Sequence, residues 1–185
     1  LGAGGQAVVT ASGAVLATSI THQQLVRVDA PGARPTMSGL AVAKDAQLAA
    51  AGDRAVLLDA STRTLRRDDG STIALPDSVR DGAKLQQSGA DGDEAAVATD
   101  TGVVVVGLGN GSTRVIPAHL ATPAAGADLI AAPVVVDGCV HAAWSAAQRY
   151  LLACDGQKTR IVDIEQKTQG SHLVFRVNRS VVALN

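Results

Sequence analysis

Aromatic side chains are almost missing from these 185 residues: one Trp, one Tyr and one Phe make up 2% of the chain, although 46% of it is apolar. Ala, Val and Leu must therefore fill the interior, in thin layers rather than around ring-walled pockets. A sugar-stacking platform is poorly supplied, with Trp144, Tyr150 and Phe175 as its whole stock. Charge of one sign is lacking too. Sixteen basic and seventeen acidic residues leave a formal net charge of −1, with no charge run, which argues against nucleic acid and anionic membrane surfaces as partners. No apolar run approaches the roughly 18 residues of a transmembrane helix. There is no signal peptide, and residue 1 is Leu. The chain reads as a segment of something longer, whose membrane contact and localisation signals lie outside it.

What is present is a rhythm. From Pro133 to Ile164, four short apolar runs (Val134–Val136, Cys139–Trp144, Tyr150–Cys154 and Arg160–Ile164) are separated by Asp137-Gly138, Ser145–Gln148 and Asp155-Gly156. Asp-Gly between β-rich runs is hairpin punctuation, because glycine tolerates positive φ and Asp bonds its own turn. The stretch predicts a four-stranded antiparallel meander. Its second strand recurs at Ala14, Ala55, Ala95, Cys139 and Val181, spaced by 41, 40, 44 and 42 residues. A period near 42, with four strands per unit and no helical pattern, predicts an all-β chain: a segment of a β-propeller. The units run approximately over 5–45, 46–82, 83–129, 130–170 and 171–185, the last partial, within one domain spanning 1–185. Eighteen strands result, about four and a half blades, so the ring is incomplete in this segment. A β-sandwich is the alternative, since it also shows short strands with frequent turns. Neither a WD dipeptide nor a Gly-His signature is present.

Cys139 and Cys154 face each other if the Ser145–Gln148 loop sets the register, since Trp144 then pairs with Arg149. Directly opposite positions bring Cβ atoms to about 5 Å, close enough for a disulfide; two separately buried thiols are the other reading. A disulfide would imply an oxidising, extracytoplasmic compartment.

Other candidate sites read more simply as structure. Gly107-Leu-Gly-Asn-Gly111 lacks the helix that a phosphate loop enters; Asn110-Gly111 reads as a type I′ hairpin turn. Asp91-Gly-Asp-Glu94 offers oxygen ligands of the kind calcium takes, but no further ligands fall in register, so a longer hairpin loop is expected. His22, His119, His141 and His172 show no metal-binding spacing, and His172 beside Phe175 reads as packing at a strand start. No G-x-S-x-G elbow occurs. Asp53, Asp59, Asp100 and Asp137 fall at strand ends, where turns want them. Asn178-Arg-Ser180 fits a glycosylation sequon inside a hairpin turn. Neither catalytic residues, metal ligands nor a cofactor site are expected. The connection Pro117–Asp128 is the longest between units. Such loops line the top of a propeller, making it the expected place for a partner to touch.

Cys139-Val-His-Ala-Ala-Trp144, Tyr150–Gly156 and Leu173-Val-Phe-Arg-Val-Asn-Arg179 with Val181–Asn185 make the last third similar to one family of large actinobacterial surface or secreted proteins. In that family a membrane-anchoring N-terminus precedes a β-propeller-like region and an array of Ig-like or fibronectin type III domains. The resemblance implies an extracellular or cell-surface, non-catalytic region whose partner is an unknown protein or envelope component. It supplies no binding residues, and the chain contains none of those appended modules. The expectation is therefore a structural or protein-interaction module, with self-association through the open sheet edge as a further possibility. A carbohydrate-binding or hydrolytic propeller is the alternative, using polar loops such as Asp77–Gly82 and Ala90–Glu94. A calcium-stabilised adhesin is a third reading.

Overall fold

The computed structural model describes residues 5–19, 21–89, 92–120, 130–163, 176–178 and 181–183. Among them lie eighteen strands and no helix. The first sheet holds β1 (Ala7–Val9), β2 (Val15–Ser19), β3 (Gln24–Val28) and β4 (Thr36–Ala41). The second holds β5 (Gln47–Ala51), β6 (Arg54–Asp59), β7 (Thr64–Arg67) and β8 (Thr72–Ala74). The third holds β9 (Lys84–Leu85), β10 (Glu94–Ala98), β11 (Gly102–Gly107) and β12 (Thr113–Pro117). The fourth holds β13 (Val134–Val136), β14 (Cys139–Trp144), β15 (Arg149–Cys154) and β16 (Arg160–Asp163). Each sheet is an antiparallel meander in chain order. A separate hairpin pairs β17 (Arg176–Asn178) with β18 (Val181–Ala183). This is the expected all-β propeller architecture, with the ring unclosed. The sandwich alternative fails, because the sheets are four successive meanders, each packed on the next.

The packing explains why the strands read as apolar runs rather than alternating patterns. Successive side chains leave opposite faces of a sheet, and both faces of the middle sheets are covered. In β6, Ala55 and Leu57 join a cluster shared with the first sheet, while Val56 and Leu58 join one shared with the third. In β10 and β11, Ala95, Val97, Val104 and Val106 face the second sheet; Ala96, Ala98, Val103 and Val105 face the fourth.

That alternation moves two repeat anchors by one residue. Leu16 faces the next sheet as Val56 does, so Val15, not Ala14, corresponds to Ala55. Val140, not Cys139, faces back as Ala55 and Ala95 do. Cys139 corresponds to Arg54, since each directly follows a two-residue turn and pairs with the residue before it. A one-residue slip exchanges the two faces, and alignment of small apolar residues cannot sense it.

Side-chain amides join the inner strands. Gln6 donates through Nε2 to the Ala46 carbonyl at 2.8 Å, and its Oε1 accepts from the Leu48 N–H at 2.8 Å. Gln47 repeats this on Ala83 and Leu85, again at 2.8 Å each. In the third sheet the corresponding residue is Lys84, since Lys84 pairs with Ala98 as Gln47 pairs with Leu58. By the same register, the N–H it would have to satisfy belongs to Pro133, which has none. A side chain that both donates and accepts therefore has no matching partner there.

The Asp137-Gly138 turn has positive φ at both residues, 51° and 69°, as its type I′ hairpin requires. The Gly107–Gly111 segment is likewise a turn between strands but not type I′. Asn110 is not at positive φ, Gly111 is at +70°, and Asn110 Oδ1 accepts from the Ser112 N–H at 3.0 Å.

Candidate functional site

Three regions of the described structure differ from plain sheet packing. The first is at the end where the sheets are connected. There Ala43, Lys44 and Asp45 precede β5, Asp59, Ala60 and Ser61 lead into the β6–β7 turn, and Asp81-Gly82 precede β9. With Gln47 they line a cavity of about 390 Å³. Asp81 and Gly82 are the part of the Asp77–Gly82 loop that borders it. Burial acts to raise the Asp59 carboxyl, but hydrogen bonds from Ser61 and Thr62 outweigh it and hold the group below the usual carboxylate range. Ser61 and Thr62 N–H donate to Asp59 Oδ1 at 3.1 and 3.3 Å. Asp59 is therefore a turn-former whose hydrogen bonds favour its ionised state.

The second region is the outward face of the fourth sheet. Val140, Ala142, Trp144, Leu151 and Ala153 point back into the cluster shared with the third sheet. Cys139, His141, Ala143, Tyr150, Leu152 and Cys154 point the other way. Cys139 and Cys154 stand directly opposite and form a disulfide, with Cα atoms 4.0 Å apart. Of the two sequence readings, the bonded pair is the one seen. Beside it, His141 Nδ1 lies 2.7 Å from the Tyr150 hydroxyl. Burial lowers the His141 pKa and raises that of Tyr150, so the pair is neutral near pH 7. Trp144 is fully buried, and its Nε1 donates to the Thr99 carbonyl at 2.7 Å. It offers no stacking surface.

The third region is the face of the first sheet turned away from the second. Register places Val9, Val15 and Val28 in one row, and Ala7, Ala17, Val26 and Met37 in the next. Val9, Val15 and Met37 are 58%, 38% and 51% exposed, while Ala17 between them is buried. A groove of about 460 Å³ between this sheet and the second is lined by Leu16, Leu25, Arg27, Thr36, Met37 and Ser38 and opens against Asp68 and Asp69, so Met37 at the sheet edge borders it as well.

The remaining sequence candidates scatter. His22 is in the β2–β3 turn and His119 follows β12 at φ 50°. His172, Phe175 and Asp91 lie outside the described residues, as does most of Pro117–Asp128 and part of the Asn178–Ser180 sequon. Glu94 opens β10, and burial raises its carboxyl, with Asp155 nearby adding to the effect. Asp53 accepts from the Ser12 N–H at 2.7 Å, joining turns of two sheets. Asp100 pairs with Arg80. Among the described residues no three His, Cys, Asp or Glu side chains are grouped as metal ligands would be, and no helix is long and apolar enough to cross a membrane.

The sequence reading missed the ties between sheets. Arg27 reaches the Asp53 carbonyl at 3.3 Å, Arg67 that of Leu108, and Arg114 the Asp155 carboxylate at 3.2 Å. Gln6 and Gln47, 41 residues apart and each just ahead of an apolar run, were the visible signal.

No family model matches the chain, and no curated protein matches it. Among solved structures it is similar to a catalytically inactive H270A virginiamycin B lyase from Staphylococcus aureus with quinupristin. The TM-score is 0.61 at 10% identity, over 87% of this chain and 55% of that one. It is also similar to apo AztD from Citrobacter koseri, with TM-score 0.53 at 16% identity, over 86% of this chain and 47% of that one. The chain thus spans about half the length of these neighbours. At such identities the likeness shows the fold alone: the chain is a β-propeller segment.

Proposed function

We propose that the chain is a non-catalytic protein-interaction module of an extracytoplasmic, multidomain envelope protein. The observation that carries this reading is the flat apolar face of β1–β4, where Val9, Val15 and Met37 stand exposed. In a segment of an unclosed ring, such a face is one that a further blade or a partner protein covers. The disulfide supports an oxidising location, and the resemblance of the last third to actinobacterial surface proteins supports the envelope. An immobilised chain should capture a defined component from envelope extract, and Val15→Asp with Met37→Asp should abolish the capture. Equal capture by the variant, or turnover of a small substrate, would overturn the reading. Self-association through the same open sheet is separated from it by light scattering of the chain alone.

The cavity lined by Lys44, Asp45, Asp59 and Asp81 favours a second reading, a carbohydrate-binding or hydrolytic propeller. Hydrolysis of a glycosidic bond needs one carboxyl that keeps a proton. Hydrogen bonds that lower the Asp59 carboxyl make it ill-suited to that role. A screen of glycans and glycosides that shows neither binding nor cleavage, or binding unchanged by Asp81→Asn, removes this reading.

A further inference from the structure

The disulfide occupies an unusual place for a structural staple. The N–H of Asp155 donates to the Gly138 carbonyl at 3.2 Å, so the adjoining Cys139–Cys154 pair occupies the non-hydrogen-bonded position of the ladder, where opposed side chains come closest. Both cysteines are half-buried. They project away from the aliphatic cluster that binds the fourth sheet to the third. The strands they join are already held by five other register pairs and by the His141–Tyr150 hydrogen bond, and Trp144 anchors β14 to Thr99 of the third sheet. Both cysteines are thus partly accessible, and the cluster that joins the fourth sheet to the third is built from side chains on the other face.

We propose that Cys139–Cys154 is a redox-sensitive clasp, opened by a dithiol reductant while the four sheets stay folded. A thiolate of the reductant attacks one cysteine sulfur, and the S–S bond breaks to release the other as a thiolate. The second thiol of the reductant then displaces the mixed disulfide. The protein gains two electrons and two protons as two free thiols; the dithiol is oxidised to its own disulfide. Opening loosens the Asp137-Gly138 and 155–159 turns, still joined by the Asp155-to-Gly138 hydrogen bond, at the edge of the face that carries Tyr150 and Leu152. That face then exists in two forms, one clasped and one loosened.

Trp144, the single tryptophan, lies on the same strand but points into the core, and so reports on the fold independently of the clasp. The intact chain is treated with millimolar dithiothreitol without denaturant, followed by alkylation. Two alkylated cysteines with unchanged Trp144 emission and unchanged far-UV dichroism are expected. A disulfide that opens only when Trp144 becomes exposed, or resists until denaturant is added, would overturn the proposal. The double variant Cys139→Ser, Cys154→Ser should fold with native Trp144 emission; failure to fold would make the bond a structural requirement and equally overturn it.

Discussion

The indole N–H of Trp144 donates to the backbone carbonyl of Thr99 at 2.7 Å, bonding the end of β14 to the turn between β10 and β11 in the preceding sheet. The largest side chain in the protein is thereby both the plug and the polar tie of one interface. Trp144→Phe keeps much of the volume but leaves the Thr99 carbonyl buried without its partner. A loss of about 1–3 kcal/mol is expected. Trp144→Ala should lose about 3–5 kcal/mol. Urea unfolding followed by far-UV dichroism measures both.

Gln47 is the analogous tie at the inner seam, satisfying one acceptor and one donor of the next sheet. Gln47→Ala is expected to destabilise by about 1–3 kcal/mol. Gln47→Glu should recover little, because a carboxylate presents no donor to the Ala83 carbonyl. Lys84→Ala, at the corresponding place facing Pro133, should have a much smaller effect. Equal losses at Gln47 and Lys84 would contradict the register equivalence.

Gly102 opens β11 under the edge strand β12. A Cβ there would collide with the Ile116 carbonyl oxygen and lie 3.0 Å from the Pro117 Cα. Both are backbone atoms that cannot swing aside. Gly102→Ala should destabilise by more than about 2 kcal/mol, at the upper end of single substitutions. Gly109→Ala, where a Cβ meets nothing within 4 Å, should change stability by less than about 0.5 kcal/mol. Thermal melts of the pair decide it.

Two carboxylates respond to pH in opposite senses. Hydrogen bonds from the Ser12 hydroxyl and N–H hold the Asp53 carboxyl below its ordinary value. Its contribution is present above the unfolded pKa, near 4, and is lost as pH falls through the folded one. Asp53→Asn should therefore lower stability at neutral pH and flatten the acid limb. Glu94 is raised by burial and then by Asp155, so its ionisation disfavours the fold as pH rises past the unfolded value. Glu94→Gln should stabilise the chain at pH 7 and have no effect below about pH 4. Stability measured from pH 3 to 8 separates the two.

Strand positions, the four-strand period and the Cys139–Cys154 pairing were set locally. Turn residues such as Asp137-Gly138 dictate hairpins whatever lies around them, and a hairpin's register follows from its loop by counting. Contacts between sheets obey no such counting. Whether Val15 or Ala14 opens the second strand of the first unit, and whether Cys139 faces forward or back, depends on which neighbour a face meets. Chains of Ala and Val look alike on both faces, so sequence could not choose. The tertiary structure also decided that Gln6 and Gln47 are ties rather than surface amides, because their partners lie about 40 residues away in the next sheet. For the same reason it alone gathered Asp45, Asp59 and Asp81, from three separate connections, around one cavity. Backbone turns are short-range physics and leave their mark in adjacent letters; faces and cavities arise only when separate sheets exclude water together.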